Sequence, residues 1–86
     1  MRRDEEFFGG EELTLLYIAK RLNEALQLED LLTTAGIEYL VEPDRYKGGI
    51  IFPAERVGAF FYVSLIAVPS ARELLKQNGY APYQTT

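Results

Sequence analysis

The spacing of apolar residues in the first half of the chain predicts one strand and one helix. Leu13–Ala19 is short, apolar on both faces and ends at the charged pair Lys20-Arg21, which is typical of a central strand. Leu22–Ala35 places apolar residues at spacings of three and four, which predicts a helix with one apolar stripe. We expect Asn23 to cap this helix and Gly36 to end it in a left-handed conformation.

The second half of the chain begins with two further candidate strands. Ile37–Glu42 alternates apolar and polar residues, which predicts a half-buried strand that Pro43 ends. Asp44–Arg56 is irregular and predicts a long loop, with a short strand at Ile50–Phe52 as one option. Val57–Ser64 is a second strand that is apolar on both faces, and Leu65–Val68 fits either its continuation or a turn.

A short helix is predicted to close the domain. Pro69 suits the start of a helix, and Ser70-Ala71-Arg72-Glu73 matches the capping-box pattern, in which serine and glutamate satisfy each other's backbone amides. Asn78-Gly79 should stop the helix after Gln77.

The predicted order β-α-β-β-α indicates an α+β domain, specifically a ferredoxin-like α/β plait that lacks its last strand. A right-handed crossover would make Leu13–Ala19 and Ile37–Glu42 parallel, with Val57–Ser64 antiparallel between them and both helices on one face of an antiparallel or mixed sheet. The domain is expected to span 13–80. Residues 1–12 are expected to form an acidic flexible tail jointed at Gly9-Gly10, and 81–86 a C-terminal tail.

Seven short motifs between residues 13 and 80 are typical of a known kind of domain: Tyr17-Ile18-Ala19, Asn23-Glu24-Ala25, Leu31-Leu32, Ala35-Gly36-Ile37, Phe61-Tyr62-Val63-Ser64, Ala71-Arg72-Glu73-Leu74-Leu75 and Asn78-Gly79-Tyr80. With these motifs, the chain resembles a family of small prokaryotic domains of unknown function that are described as signal-transducing proteins, with a fold likened to PII-type regulators. One departure is Leu65-Ile66-Ala67, where such domains often have polar residues; the resemblance implies that Ser64 ends the strand there. It implies no catalytic residue.

Composition and charge exclude several classes of function. The 86 residues suffice for one domain, and they include no Cys, His or Trp, so disulfides, thiol nucleophiles, imidazole bases and the common zinc ligands are excluded. Thirteen acids against nine bases give a net charge of −4, which disfavours nucleic acid and anionic membranes as partners. No signal peptide or membrane-spanning run is recognisable, so we expect a cytoplasmic bacterial protein.

The chemistry of individual side chains predicts neither catalysis nor a metal or cofactor. No serine has a histidine partner, and Glu38 and Glu42 read as an ordinary solvated strand face. The best small-molecule candidate is the predicted middle loop, where basic side chains flank two glycines whose backbone amides could approach an anion. Its candidate ligand-binding residues are Arg45, Lys47, Gly48, Gly49 and Arg56; the simpler interpretation is a solvated turn.

The stronger indication is an excess of apolar residues on the predicted sheet. Two helices cover only one face, yet both inner strands are apolar on both faces, which predicts an uncovered surface or an open strand edge. The Tyr80–Tyr83 tail, the Phe7-Phe8 tail or another protein chain would cover it. The candidate interface residues are Phe7, Phe8, Leu16, Ile18, Phe61, Val63, Tyr80 and Tyr83.

We therefore predict a non-enzymatic regulatory or protein-interaction domain that acts by self-association or by binding a protein partner. Two alternatives stay open: a sensor of a small anionic metabolite or nucleotide that uses the Arg45–Arg56 loop, and a structural subunit of a larger assembly.

Overall fold

A computed structural model describes residues 1–48 and 54–83 of the chain. This part of the chain forms an α+β domain with three helices and one three-stranded antiparallel sheet. The elements are α1 (Glu5–Phe8), β1 (Leu13–Ala19), α2 (Leu22–Thr34), β2 (Leu40–Gly48), β3 (Ala54–Ser64) and α3 (Val68–Gln77), with a 3-10 turn over Leu65–Ala67 directly before α3.

The strand order in the sheet is β1-β3-β2, so β3 lies in the centre and pairs antiparallel with both neighbours. The prediction that the third strand lies between the other two is confirmed. The prediction that Leu13–Ala19 is a central strand is wrong, because β1 is at an edge. The side chains of β1 are divided between the helix-covered face and the opposite face of the sheet, and both sets are mainly apolar. Apolar content alone therefore did not show whether the strand is central or at an edge.

Helix α2 confirms the predicted apolar stripe, because Ala25, Leu28 and Leu32 are its buried residues. Its N-cap is Arg21 rather than Asn23, whose side chain instead accepts a hydrogen bond from the amide of Glu24. Gly36 follows the helix with φ of +74°, the left-handed conformation predicted for it.

Helix α3 starts two residues earlier than the predicted capping box. Ala67 is the N-cap and makes no side-chain hydrogen bond, and Pro69 lies in the first turn, where its missing N–H is not needed. Ser70 is therefore inside the helix and does not cap it. The end of the helix is as predicted, with Gln77 as its last residue and Gly79 at φ of +83°.

Strand β2 does not end at Pro43, as the alternation pattern predicted, but runs through it to Gly48. Pro43 is paired opposite Ala59 on an edge strand, where a proline costs no hydrogen bond inside the sheet. The segment predicted as a long loop is therefore mostly the end of β2 and the start of β3, paired down to Gly48 opposite Ala54. The suggested short strand at Ile50–Phe52 lies outside the described residues.

The main core lies between the sheet and the two longer helices. The buried residues of α2 and α3 form one cluster with Leu16, Tyr39, Phe61 and Val63, which places both helices on the same face of the sheet. Tyr39 and Phe61 stack with ring centroids 5.8 Å apart. Among the described residues, no helix combines the length and the apolar character needed to cross a membrane.

The first twelve residues, predicted to form a flexible tail, make specific contacts with the domain. Arg2 forms a parallel bridge with Tyr39, and the amide of Arg3 donates to the Tyr39 carbonyl at 2.7 Å. Asp4 caps α1 by accepting from the amide of Phe7, and Phe8 is buried. This segment thus extends along the start of β2 and then forms a helix.

Candidate functional site

The face of the sheet turned away from α2 and α3 is apolar, and we call it the open face. Residues that pair directly across strands share a face, so the pairs of Leu15 with Tyr62 and of Ile18 with Phe60 belong to it. Its apolar side chains are Leu13, Leu15, Ile18, Leu40, Phe60 and Tyr62.

The N-terminal segment covers one part of the open face. Phe8, Leu40 and Phe60 are all buried, yet none belongs to the core cluster beneath the longer helices. Phe8, Leu13 and Leu40 line one cavity of about 470 Å³ beside α1. We infer that α1 lies over this end of the face, while Leu13, Leu15, Ile18 and Tyr62 keep part of their surface exposed.

The predicted interface residues divide between the core, the open face and the tails. Leu16, Phe61 and Val63 have no exposed surface and lie in the core, so they are not available to a partner in this structure. Ile18 lies on the open face and is half-buried. Phe8 is buried, and its neighbour Phe7 is 50% exposed.

A β-bulge places Leu16 and Ile18 on opposite faces of the sheet, although strict alternation would put both on one face. The register between β1 and β3 shifts between Leu15 and Tyr17, so Leu16 has no direct partner on β3. A bulge breaks the strict alternation of side chains along a strand. Leu15 therefore faces the open side, whereas Leu16 and Tyr17 both belong to the helix side.

The C-terminal tail covers part of the edge of β1. The amide of Tyr83 donates to the carbonyl of Leu16 at 2.8 Å. Tyr80 packs edge-to-face against Tyr17, and its hydroxyl donates to the Gln27 side chain at 2.7 Å. Tyr80 and Tyr83 thus contact residues of their own chain, although Tyr83 is still 42% exposed.

The outer edge of β2 is poorly suited to accept another strand. Pro43 has no N–H to offer, and the amide of Arg45 donates to the Asp44 side chain at 2.7 Å. Positions 43 and 45 are two residues apart, so the amides of both would point to the same side of β2, and neither offers a free donor there. Such features are how natural sheets avoid edge-to-edge pairing, so the open face is the better candidate for association than either strand edge.

Charges of opposite sign lie on the two borders of the open face. Glu42 and Asp44 lie on β2, in rows with Phe60 and Gly58 of the central strand. Lys20 follows β1 directly, and its Nζ lies 5.3 Å from the ring centroid of Tyr46. The face therefore has an acidic border on the β2 side and a basic residue on the β1 side.

Two glutamates beside the N-terminal segment have pKa values shifted in opposite directions. The guanidinium of Arg3 donates to Glu38 at 2.7 Å, and this hydrogen bond holds the pKa of the Glu38 carboxyl below its ordinary value. A hydrogen bond with the Glu5 carboxyl raises the pKa of Glu42, with burial and the charges of Glu5 and Asp44 acting in the same direction. Burial raises the pKa of the Tyr62 hydroxyl on the same face.

The structure does not bring the predicted anion-binding residues together as one loop. Arg45 donates to the Glu55 carboxylate at 3.2 Å, so its charge is compensated. Gly48 is part of β2, and Gly49 lies outside the described residues. Arg45 and Lys47 lie on one face of the strand pair, whereas Arg56, opposite Tyr46, lies on the other. No cluster of three or more acidic side chains that could hold a metal occurs in 1–48 or 54–83.

The structure reveals a groove that was not predicted from the sequence. It has a volume of about 440 Å³, lies where β1, the hairpin end of β2 and the C-terminal tail meet, and is lined mainly by Tyr17, Ile18, Lys20, Tyr46, Lys47 and Tyr83. Tyr46 was overlooked because its segment was read as a loop. The local pattern offered little signal for a strand, because Tyr46 is the only apolar side chain between Asp44 and Gly48.

Comparisons with protein-family models, with curated proteins and with solved structures found no match.

Proposed function

We propose that this chain is a non-enzymatic protein-interaction domain that associates with a second copy of itself through the open face. The observation that carries the proposal is the half-buried state of Leu13, Leu15, Ile18 and Tyr62, on the sheet face opposite the longer helices. Adjoining apolar surface of this kind is typical of interaction sites. The absence of histidine and cysteine from the sequence favours binding over catalysis.

The arrangement of charge supports a second copy as the partner. A two-fold axis along the strand direction places β1 of one copy over β2 of the other, with the sheets face to face. Ala19 is in the row of Ala59 and Pro43, and the next row contains Gly58 and Asp44. Extending the β1 register by one residue beyond the end of the strand places Lys20 level with that row. In this arrangement, Lys20 of each copy faces Asp44 of the other.

We further propose that the fold is the ferredoxin-like plait without its last strand, as in the signal-transducing family that the sequence resembles. The strand order β1-β3-β2 and the placement of both longer helices on one face support this assignment. If the chain has a signal-transducing role like that family, the change between monomer and dimer would be the regulated step.

Sedimentation of the purified chain over a range of concentrations tests the proposal. We expect dimers, and we expect Leu15→Glu to weaken dimerisation at least tenfold, because the interface would bury the new carboxylate. Leu13→Lys is a second variant at the same face, in case Leu15→Glu fails to fold.

Leu26→Glu is the matched control, because Leu26 is 56% exposed on α2, away from the open face. It should dimerise like the wild type. A wild-type chain that stays monomeric at the highest concentration, or equal loss of dimers in Leu15→Glu and Leu26→Glu, would contradict the proposal.

A further inference from the structure

We propose that the groove between Tyr46 and Tyr83 binds a small aromatic anion, meaning a planar ring system that carries a phosphate or a carboxylate. This inference does not rest on self-association. The groove and the proposed dimer share only Ile18 and Lys20.

The aromatic part of the groove is built by a gap in the central strand. Gly58 has no side chain, and a Cβ there would lie 3.0 Å from Cε1 of Tyr46 and 3.2 Å from Cγ2 of Ile18. The Tyr46 ring therefore reaches across β3 toward β1. Together with Tyr17 and Tyr83, it lines a space that is accessible from solvent. Aromatic walls of this kind favour planar ligands, which stack on them.

The cationic part of the groove surrounds the same ring. Lys20 places its ammonium 5.3 Å from the centroid of the Tyr46 ring, close enough for a cation–π contact. Arg56 does not line the groove, but it lies near Tyr46 at Gly48, where a Cβ would be 3.2 Å from Nε of Arg56 and 3.5 Å from Cε2 of Tyr46. Lys47 adds a further positive charge to the lining.

The charge of the lining contrasts with that of the whole chain. Among the described residues that line the groove there are two lysines and no acidic side chain, although the net charge of the chain is −4. The pKa of the Tyr17 hydroxyl is raised, mainly by burial. The nearby Glu24 carboxylate, which interacts with this hydroxyl, raises the pKa further. The volume is within the range of small-ligand sites. Rings and cations around one space suit a ligand with both a ring and a negative charge.

A titration followed by amide NMR spectra tests the proposal, with adenosine monophosphate and indole-3-acetate as the phosphate and carboxylate probes. We expect shifts at Ile18, Lys20, Tyr46 and Tyr83 for at least one probe, and the stronger binder identifies the anionic group. Adenosine, which lacks the charge, and inorganic phosphate, which lacks the ring, should each bind about tenfold more weakly or not at all.

Two variants separate a specific site from general attraction. Lys47→Ala should weaken binding about tenfold, the size expected for one charge-assisted hydrogen bond. Lys76→Ala removes the same charge from an exposed position on α3 and should leave the affinity unchanged. Tyr46→Leu should abolish the preference for probes with a ring.

Repeating the titration with Leu15→Glu distinguishes this proposal from the proposed dimer, because Leu15 does not line the groove. The variant should bind the probes at least as well as the wild type. No shift in the groove at millimolar probe, equal effects of Lys47→Ala and Lys76→Ala, or tighter binding of a short oligonucleotide than of either probe would overturn the proposal.

Discussion

Gly58 occupies a point in the central strand where a side chain would meet three neighbours at once. A Cβ there would lie 3.0 Å from Tyr46, 3.1 Å from the carbonyl oxygen of Ala19 and 3.2 Å from Ile18. Two of these contacts cannot relax easily, because one is to backbone and one is to a packed β-branched side chain. The shape of the open face at its hairpin end therefore depends on a single missing side chain.

Gly58→Ala should lower the free energy of unfolding by about 1–3 kcal/mol, as overpacking does. Gly48→Ala is the matched control in the same hairpin, because its Cβ would meet only flexible atoms of Arg56 and the edge of Tyr46. Urea unfolding of both variants measures the difference. A cost for Gly48→Ala equal to or larger than that for Gly58→Ala would show that the close contacts at Gly58 are not important.

The glutamates Glu38 and Glu42 respond to pH in opposite ways. Glu38 has a lowered pKa in the fold, so its contribution to stability is present above the unfolded pKa and is lost as pH falls through the folded pKa. Glu42 has a raised pKa, so its contribution is present below the unfolded pKa and is lost as pH rises through the folded pKa. Near neutral pH, Arg3 stabilises the first carboxylate while Glu5 repels the second.

Glu42→Gln should therefore raise the melting temperature at neutral pH, because it removes a charge that faces Glu5 and Asp44. Glu38→Gln, of identical size change, should lower it by weakening the ion pair with Arg3. Thermal unfolding from mildly acidic to neutral pH checks the signs, and the two variants should converge as pH falls. Shifts of the same sign at neutral pH would show that the two carboxylates are not in different environments.

At the scale of elements, α1 connects the N-terminal segment to the open face through one aromatic side chain. Phe8 is 7% exposed, whereas the adjacent Phe7 is 50% exposed and lies beneath the Arg3 guanidinium, 4.5 Å from its ring centroid. A helix of four residues is not stable by itself. Burial of Phe8 is therefore what keeps α1 on the sheet.

Phe8→Ala should lower the free energy of unfolding by about 3 kcal/mol, the lower end of the range for a buried phenylalanine. Phe7→Ala should cost under about 1 kcal/mol, as expected for a side chain on the surface. Urea unfolding followed by circular dichroism compares them. If both variants lost the same stability, α1 would not be held by Phe8.

The helices and strands with strong periodicity were predictable from the sequence, whereas the residues at which they begin and end were not. The stripe of Ala25, Leu28 and Leu32 fixes α2, because a repeat at three and four residues has only one face to bury. Pro43 misled the prediction of β2, since proline stops a central strand but is accepted at the edge that β2 occupies. Whether a strand is at an edge depends on the other strands, which local sequence does not report.

The candidate sites were less predictable for a related reason. The excess of apolar residues on the sheet was recognisable, but two apolar faces do not show which one the helices cover, and the bulge at Leu16 separates it from Ile18. The groove needed still more information, because Lys20, Tyr46 and Tyr83 come from three separate parts of the chain. Composition indicated that an apolar surface exists, but the strand register is needed to locate it.

At the scale of the whole molecule, the domain covers its sheet unequally. Two longer helices bury the centre of one face, including Leu16, Phe61 and Val63, while a four-residue helix and the tails cover parts of the other face and of the β1 edge. A second copy related by a two-fold axis along the strands would cover the rest. This arrangement brings Lys20 of each copy opposite Asp44 of the other.

Sedimentation of two charge-reversed variants, alone and mixed, tests this face-to-face arrangement. Lys20→Asp and Asp44→Lys should each dimerise at least tenfold more weakly than the wild type, since each places two like-charge pairs across the interface. An equimolar mixture should form heterodimers, and the double variant should dimerise again, because both restore opposite charges at every pair. Dimers that persist in each single variant, or a mixture that stays as weak as its components, would contradict the face-to-face arrangement.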